Sequence, residues 1–202
     1  LKRGSSAPSR GACRVAADME SSAGPPPAGR GCLGGACEAM TDIGAGELLL
    51  SPGDVGPPGP VRATIDRFLG TNFLWVPLTG NHETEKRATM EWLFQWAKSS
   101  MPRPARLGPP GAEDTMFSFD IGNSHSVILN QYYDGVRPVG GKDVLPRATM
   151  DWLKADLAAT RRPFIWVAGH KPMLSLPDMD SGRLRHARES VDRPHTDGHG
   201  GA

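Results

Sequence analysis

Four short polar strings in this chain carry side chains able to hold metal ions, each placed after a run of small or apolar residues. In order they are Asp18 in VAADME, Asp54 in SPGDVG, Asn81-His82-Glu83 in TGNHET and His170 in AGHKP. Carboxylate, carboxamide and imidazole form a hard oxygen and nitrogen donor set, suited to Mn, Fe or Zn rather than to a thiolate-bound metal. One carboxylate is able to bridge two ions roughly 3.5–4 Å apart, the arrangement that polarises a phosphoryl oxygen and activates water at neutral pH. Glycines directly before Asp54, Asn81 and His170 let backbone approach a small ligand closely. Singly, each string has a plain structural reading: Gly-Asp after a strand is ordinarily a turn, and a lone loop histidine is ordinarily held within its loop. GNHE after an apolar strand is more specific, and its order between an upstream GD and a downstream GH is more specific still.

For these strings to meet, strands must deliver them to one edge of a sheet. The pattern predicts strands over Ala12–Ala17, Glu47–Ser51, Phe73–Leu78, Thr115–Asp120, Ser126–Tyr132 and Phe164–Ala168, the last of a buried type. Helices are expected over Gly34–Ile43, from Pro60 through VRATIDRFL, over Thr84–Lys98 and over Arg147–Ala158. Met90, Leu93, Phe94 and Ala97 mark the inner face of the third helix, and Met150, Leu153 and Leu157 that of the fourth. Residues 101–112 read as a Pro-rich loop, and Ile121-Gly122-Asn123 as a turn. RATIDRF, RATMEWL and RATMDWL recur at unequal spacing, which fits three amphipathic helices and not a solenoid. Strand–helix alternation of this kind predicts an α/β layered domain with its functional residues after the carboxyl ends of strands.

The chain has 202 residues, one domain's worth, with 25 Gly and 19 Pro crowded toward its front. Its net charge of +1 shows no basic excess, and so no nucleic-acid-binding signature. No apolar run approaches the ~20 residues of a membrane span, and the basic N-terminus lacks the apolar stretch of a signal peptide. Cytoplasmic and secreted locations both stay open, as does the oligomeric state. The first residue is Leu, which fits a processed form or a fragment. Cys13, Cys32 and Cys37 match neither a disulfide framework nor a zinc pattern and read as free thiols. The expected division is a flexible segment 1–11, a domain over 12–180 containing the Gly/Pro-rich loop 20–32, and a polar, disordered tail 181–202.

The ordered set of Asp18, Gly53-Asp54, Gly80-Asn81-His82-Glu83 and Gly169-His170 resembles the calcineurin-like metallophosphoesterase superfamily, which includes the purple acid phosphatases. The resemblance runs from about Arg14 to Asp180, and FSFDIGNSHSVILN is similar to that family's paired strands between its third and fourth motifs. It implies a two-sheet β-sandwich flanked by helices, in αββα layers, that hydrolyses a phosphate ester with water activated by two metal ions (Mn, Fe or Zn). It further implies that Asp18 binds the first ion, Asp54 bridges both, and Asn81 and His170 bind the second. Asn81 and His82 would contact the substrate phosphate, with His82 protonating the leaving oxygen.

Two positions depart from the family pattern. Where the family has DxH this chain reads Asp18-Met19-Glu20, so Glu20 offers an oxygen in place of an imidazole. The terminal GHxH has no match: His195 and His199 lie in a polar stretch without a preceding apolar strand. The expectation is therefore a chain that stops before its last core strand, with weak metal binding and little activity. His125, beside an apolar strand, reads as structural; His186, with Arg183 and Arg185, reads as a solvated basic segment before it reads as part of a substrate cleft. Two competing functions stand beside hydrolysis. One is a catalytically impaired or truncated metallophosphoesterase-fold protein acting as a metal-binding, phosphate-binding or interaction module. The other is an interaction module that uses the Gly/Pro-rich front. Substrate choice would lie in loops such as 101–112 and 134–146.

Overall fold

The computed structural model describes residues 13–15, 32–44, 46–141 and 144–171. Its first half alternates: β1 (Cys13–Val15), α1 (Cys32–Asp42), β2 (Leu48–Ser51), α2 (Pro58–Leu69) and β3 (Leu74–Pro77). Next come α3 (Asn81–Glu85), α4 (Arg87–Ser100), β4 (Ala105–Leu107), β5 (Phe117–Ile121), β6 (Ser124–Ile128), α5 (Arg147–Ala159) and β7 (Phe164–Ala168). β1, β2 and β3 form a parallel sheet in that order, as two βαβ units require. β4, β5, β6 and β7 form the second sheet, antiparallel except for the β6–β7 pair.

The side-chain alternation of a strand explains the layers. In β2, Leu48 and Leu50 face a cluster with Val76 and Leu78 of the first sheet and Phe117, Phe119 and Ile128 of the second. Leu49 points the other way, joining Trp75 beneath Val61 and Ile65 of α2 and Cys37 and Met40 of α1. On the far side of the second sheet, Val127 packs with Met116, Leu129 and Tyr133 against Trp152, Leu153 and Leu157 of α5. The result is a mixed α/β architecture, two sheets face to face with helices on both outer surfaces. Each fully buried side chain of this size contributes about 1.5–3 kcal/mol, so the inter-sheet cluster is the main anchor for the loops at the strand ends. Among the described residues, no helix is long and apolar enough to cross a membrane.

The structure departs from the sequence reading in five places. The single helix expected over Thr84–Lys98 is two, broken at Lys86, whose backbone is extended (φ −119°, ψ 104°). The loop 101–112 contains β4, which pairs with β5 in the register Ala105↔Phe119. The hairpin strands end earlier than expected on the second arm, so that Asn130, Gln131 and Tyr132 are loop residues; Gly122 (φ 56°) makes the turn. On α5 the fully buried positions are Thr149 and Asp156, while Met150 is only half-buried, because a polar partner across the sheet draws Asp156 inward. Finally, β7 is not buried: Phe164, Ile165, Trp166 and Val167 are each 45–53% exposed, since the strand lies at the sheet's margin.

Candidate metal centre

Three strand ends converge. Asp54 follows β2, Asn81 and His82 follow β3, and His170 follows β7. The approach is close enough to demand glycine twice. A Cβ on Gly53 (φ 101°) would lie 2.7 Å from the Gly80 nitrogen and 2.8 Å from His170 Nδ1. A Cβ on Gly80 would lie 2.6 Å from the Asp54 nitrogen and 2.7 Å from a Glu83 carboxylate oxygen. Asp54 itself has φ 53°, the one positive value outside glycine among the described residues, in a region that Asp tolerates better than most residues.

A carboxylate oxygen, a carboxamide oxygen and an imidazole nitrogen face one another. His170 Nδ1 lies 2.9 Å from the Pro52 carbonyl oxygen. A carbonyl accepts only, so Nδ1 carries the hydrogen, and in the neutral ring Nε2 presents a lone pair. That nitrogen is 3.1 Å from Asn81 Oδ1 and 3.3 Å from Asp54 Oδ2. Ligands about 2.0–2.2 Å from one cation, at tetrahedral or octahedral angles, stand about 2.9–3.5 Å apart. The spacing and chemistry of this set therefore fit a shared cation. The Asp54 and His170 side chains are 10% and 18% exposed, which leaves them reachable but largely shielded. Among the described residues, no group of three or more His, Cys, Asp or Glu side chains is arranged to hold a metal by itself; here an asparagine completes the trio.

His82 flanks this trio. Its backbone N–H donates to Asp54 Oδ1 (3.1 Å), and its ring lies 3.8 Å from Asp54 Oδ2 and 3.4 Å from Glu85 Oε2. Its side chain is 40% exposed, so it borders the cluster on the side open to solvent. Asp54, Asn81, His82 and His170 are thus brought together. Asp18, Glu20, His186, His195 and His199 lie outside the described residues, as do Arg183 and Arg185.

Supporting roles appear that the sequence reading did not assign, one of them on Glu83, which it had named only among the metal-ligand types. Glu83 is 1% exposed, and its carboxylate accepts from the backbone N–H groups of Asp54 (2.8 Å), Val55 (3.0 Å) and Gly80 (2.7 Å). It ties the β2 loop to the β3 loop. A signal existed: a glutamate three residues after the cap of a helix commonly reaches back to the cap's N–H. Gln131 grips the backbone on the other side, accepting from the Lys171 N–H (2.6 Å) and donating to its carbonyl (3.0 Å). The Tyr132 ring lies 6.2 Å from the His170 ring, centre to centre.

His125 is structural, as its position suggested, but as part of a polar network. Nδ1 lies 2.7 Å from Asp120 Oδ1 and Nε2 lies 2.9 Å from Asp156 Oδ2. Ser118 Oγ donates to Asp156 Oδ1 (2.7 Å), and Arg162 Nε donates to Asp120 Oδ2 (2.8 Å). Burial works against charge on His125, but the hydrogen bonds to Asp156 and Asp120 outweigh it and raise its pKa. Burial likewise opposes charge on Asp120, and the hydrogen bonds from His125 and Arg162 overcome it, so that carboxyl titrates below its ordinary range.

No family model matches the chain, and neither a curated protein nor a solved structure matches it.

Proposed function

We propose that this chain is a metal-dependent phosphoesterase of the calcineurin-like metallophosphoesterase type, hydrolysing a phosphate ester. The observation that carries the reading is the convergence of Asp54 Oδ2, Asn81 Oδ1 and His170 Nε2 at ligand spacing, with His82 beside them. In this reading Asp18 holds the first ion, Asp54 bridges, and Asn81 and His170 hold the second. Bound there, Mn, Fe or Zn ions supply Lewis acidity toward the phosphoryl group and an activated water. His82, on the solvent side, orients the phosphate and gives its proton to the leaving oxygen; general-acid help of this kind is worth typically ~10²–10⁴-fold. Glu83 and Gln131 hold the loops so that the ligands need not reorganise when an ion arrives. The test is calorimetric titration of the purified chain with Mn and Zn, together with turnover of an aryl phosphate. Weak but metal-dependent turnover is expected. Failure to bind metal and to turn over with Mn, Fe or Zn supplied overturns the reading.

A second reading is an impaired member of the same type that binds metal or phosphate without efficient hydrolysis. It is favoured by the first motif, where Glu20 stands in place of the family's imidazole, and by the lack of a GHxH match. Tight metal binding in two sites, surviving removal of His195 and His199, would exclude it.

A further inference from the structure

Beside the candidate centre, a cleft of about 300 Å³ opens between Gly56, Pro57 and the first residues of α2 on one side and the start of α4 on the other. His82 is one of its lining residues, so whatever sits in the cleft adjoins the group that, in the proposed reaction, would handle a leaving oxygen. Glu83 also lines it, its carboxylate taken up by three backbone N–H groups, and the other walls include three kinds of surface. Pro57, Pro58 and Trp92 are flat and apolar, and the prolines fix one wall in place. Thr89, half-buried, makes no hydrogen bond through its hydroxyl among the described residues. Lys86 is exposed, and among the described residues its ammonium has no ion-pair partner. Lys86 stands at the break between α3 and α4, where its backbone is extended.

We propose that this cleft is the subsite for the group esterified to the phosphate, and that it selects leaving groups that are flat and apolar and carry a second negative charge. The proposal rests on the phosphoesterase reading for its role, and on the cleft alone for its chemistry. The ring of such a group fits against Pro57, Pro58 and Trp92, its anionic substituent pairs with Lys86, and a polar atom accepts from Thr89. An uncharged group of the same shape keeps the apolar contacts and loses the ion pair. Because Lys86 is exposed, that difference is modest and salt-dependent, roughly three- to five-fold in affinity at low ionic strength.

The experiment titrates the full chain with p-hydroxybenzoate and with p-hydroxybenzamide at millimolar concentration, following the NMR shift of the Trp92 indole N–H. Expected is tighter binding of the carboxylate by roughly three- to five-fold, abolished in Lys86→Met, retained in Lys86→Arg and diminished by added salt. Equal affinity for the two ligands, binding of neither, or a preference that persists in Lys86→Met overturns the proposal. The measurement needs neither metal nor turnover, so the two ideas fail separately. A carboxylate preference in a chain that never hydrolyses phosphate esters keeps the cleft and removes the enzyme. Turnover without the preference does the reverse.

Discussion

Replacing Glu83 by glutamine would test whether one buried carboxylate holds the two central loops together. The side chain is 1% exposed and accepts three backbone N–H groups, two of them on Oε2 and one on Oε1. Hydrogen bonds to a charged group contribute about 1.5–3 kcal/mol each, against about 0.5–1.5 for neutral pairs. Glutamine can place its carbonyl oxygen where Oε2 stands, serving Asp54 and Gly80 at about 1 kcal/mol less apiece. Its NH2 group then meets the Val55 N–H, donor against donor. That bond is lost and an amide is left unpaired, a further cost of about 1–3 kcal/mol. Removing a buried charge returns part of its desolvation penalty, which brings the net to about 2–4 kcal/mol. In urea this appears as a lower midpoint with an unchanged slope, and on heating as a fall of about 5–15 °C. Metal affinity should drop ~10–100-fold in the same variant, because the ligands lose their support. Stability within about 0.5 kcal/mol of the parent, with metal binding intact, would refute the idea that the carboxylate ties the loops.

Asp54→Asn should abolish metal pairing yet leave the fold largely intact in circular dichroism, since asparagine accepts the backbone of that position (φ 53°). His82→Ala should spare metal binding and slow turnover by ~10²–10⁴-fold; loss of metal in His82→Ala with retention in Asp54→Asn would reverse the assigned roles. The raised pKa of His125 means that its stabilisation is complete below the ordinary value of 6.5 and is lost as pH rises through the folded value. The lowered pKa of Asp120 means that its share is present above the ordinary 3.8 and is lost as pH falls through the folded value. Thermal midpoints of the parent minus those of His125→Gln should therefore decline on the alkaline side of pH 6.5; a difference that is flat or rising there contradicts the network. Ile165→Lys, at a site 47% exposed, should reduce light scattering at high protein concentration while changing stability by about 0.5 kcal/mol or less, because a charge on an apolar sheet margin discourages strand pairing between molecules.

The front half of the fold was legible because its signals are local. Leu48, Leu49 and Leu50 form a run of strand length, and Val61 and Ile65 repeat at helical spacing, so β2 and α2 follow from periodicity alone. The gathering of Asp54, Asn81 and His82 was legible for a topological reason: the parallel strands β2 and β3 deliver the loops after their carboxyl ends to one edge, whereas His170 arrives from the second sheet and was legible only through the order of the motifs. What sequence did not reveal was set by distant partners. The break at Lys86 interrupts no apolar pattern, since the inner face of α4 begins only at Met90. β4 follows Pro104, has three residues and little burial, and becomes a strand only through its pairing with β5. Asp156 points inward because His125, 31 residues earlier, offers a partner, and a helical wheel cannot display that. β7 illustrates the opposite limit: FIWVA announces a side-chain set that gains by burial, but hydrophobicity does not state whether burial occurs.

The geometry around His170 links these observations to chemistry. Its Nδ1 is committed to the Pro52 carbonyl, while Nε2 faces two oxygens, one on a carboxylate that accepts only. With the ring neutral and no cation among them, the Nε2 lone pair stands 3.1 Å from Asn81 Oδ1 and 3.3 Å from Asp54 Oδ2, a repulsion that flexible loops would part to relieve. These loops cannot part readily. Gly53 and Gly80 are in contact, the Glu83 carboxylate pins the Asp54, Val55 and Gly80 amides, and Gln131 holds the backbone just after His170. None of these supports touches the space between the three acceptors; each fixes the backbone that carries one of them. An arrangement that holds a carboxylate, a carboxamide oxygen and an imidazole nitrogen together gains when a cation enters among them, and a multivalent ion serves all three where a proton on Nε2 serves only the two oxygens beside it. The same rigidity keeps His82 at the solvent-side border of the cluster, the position from which, in the proposed hydrolysis, it would meet an arriving ester.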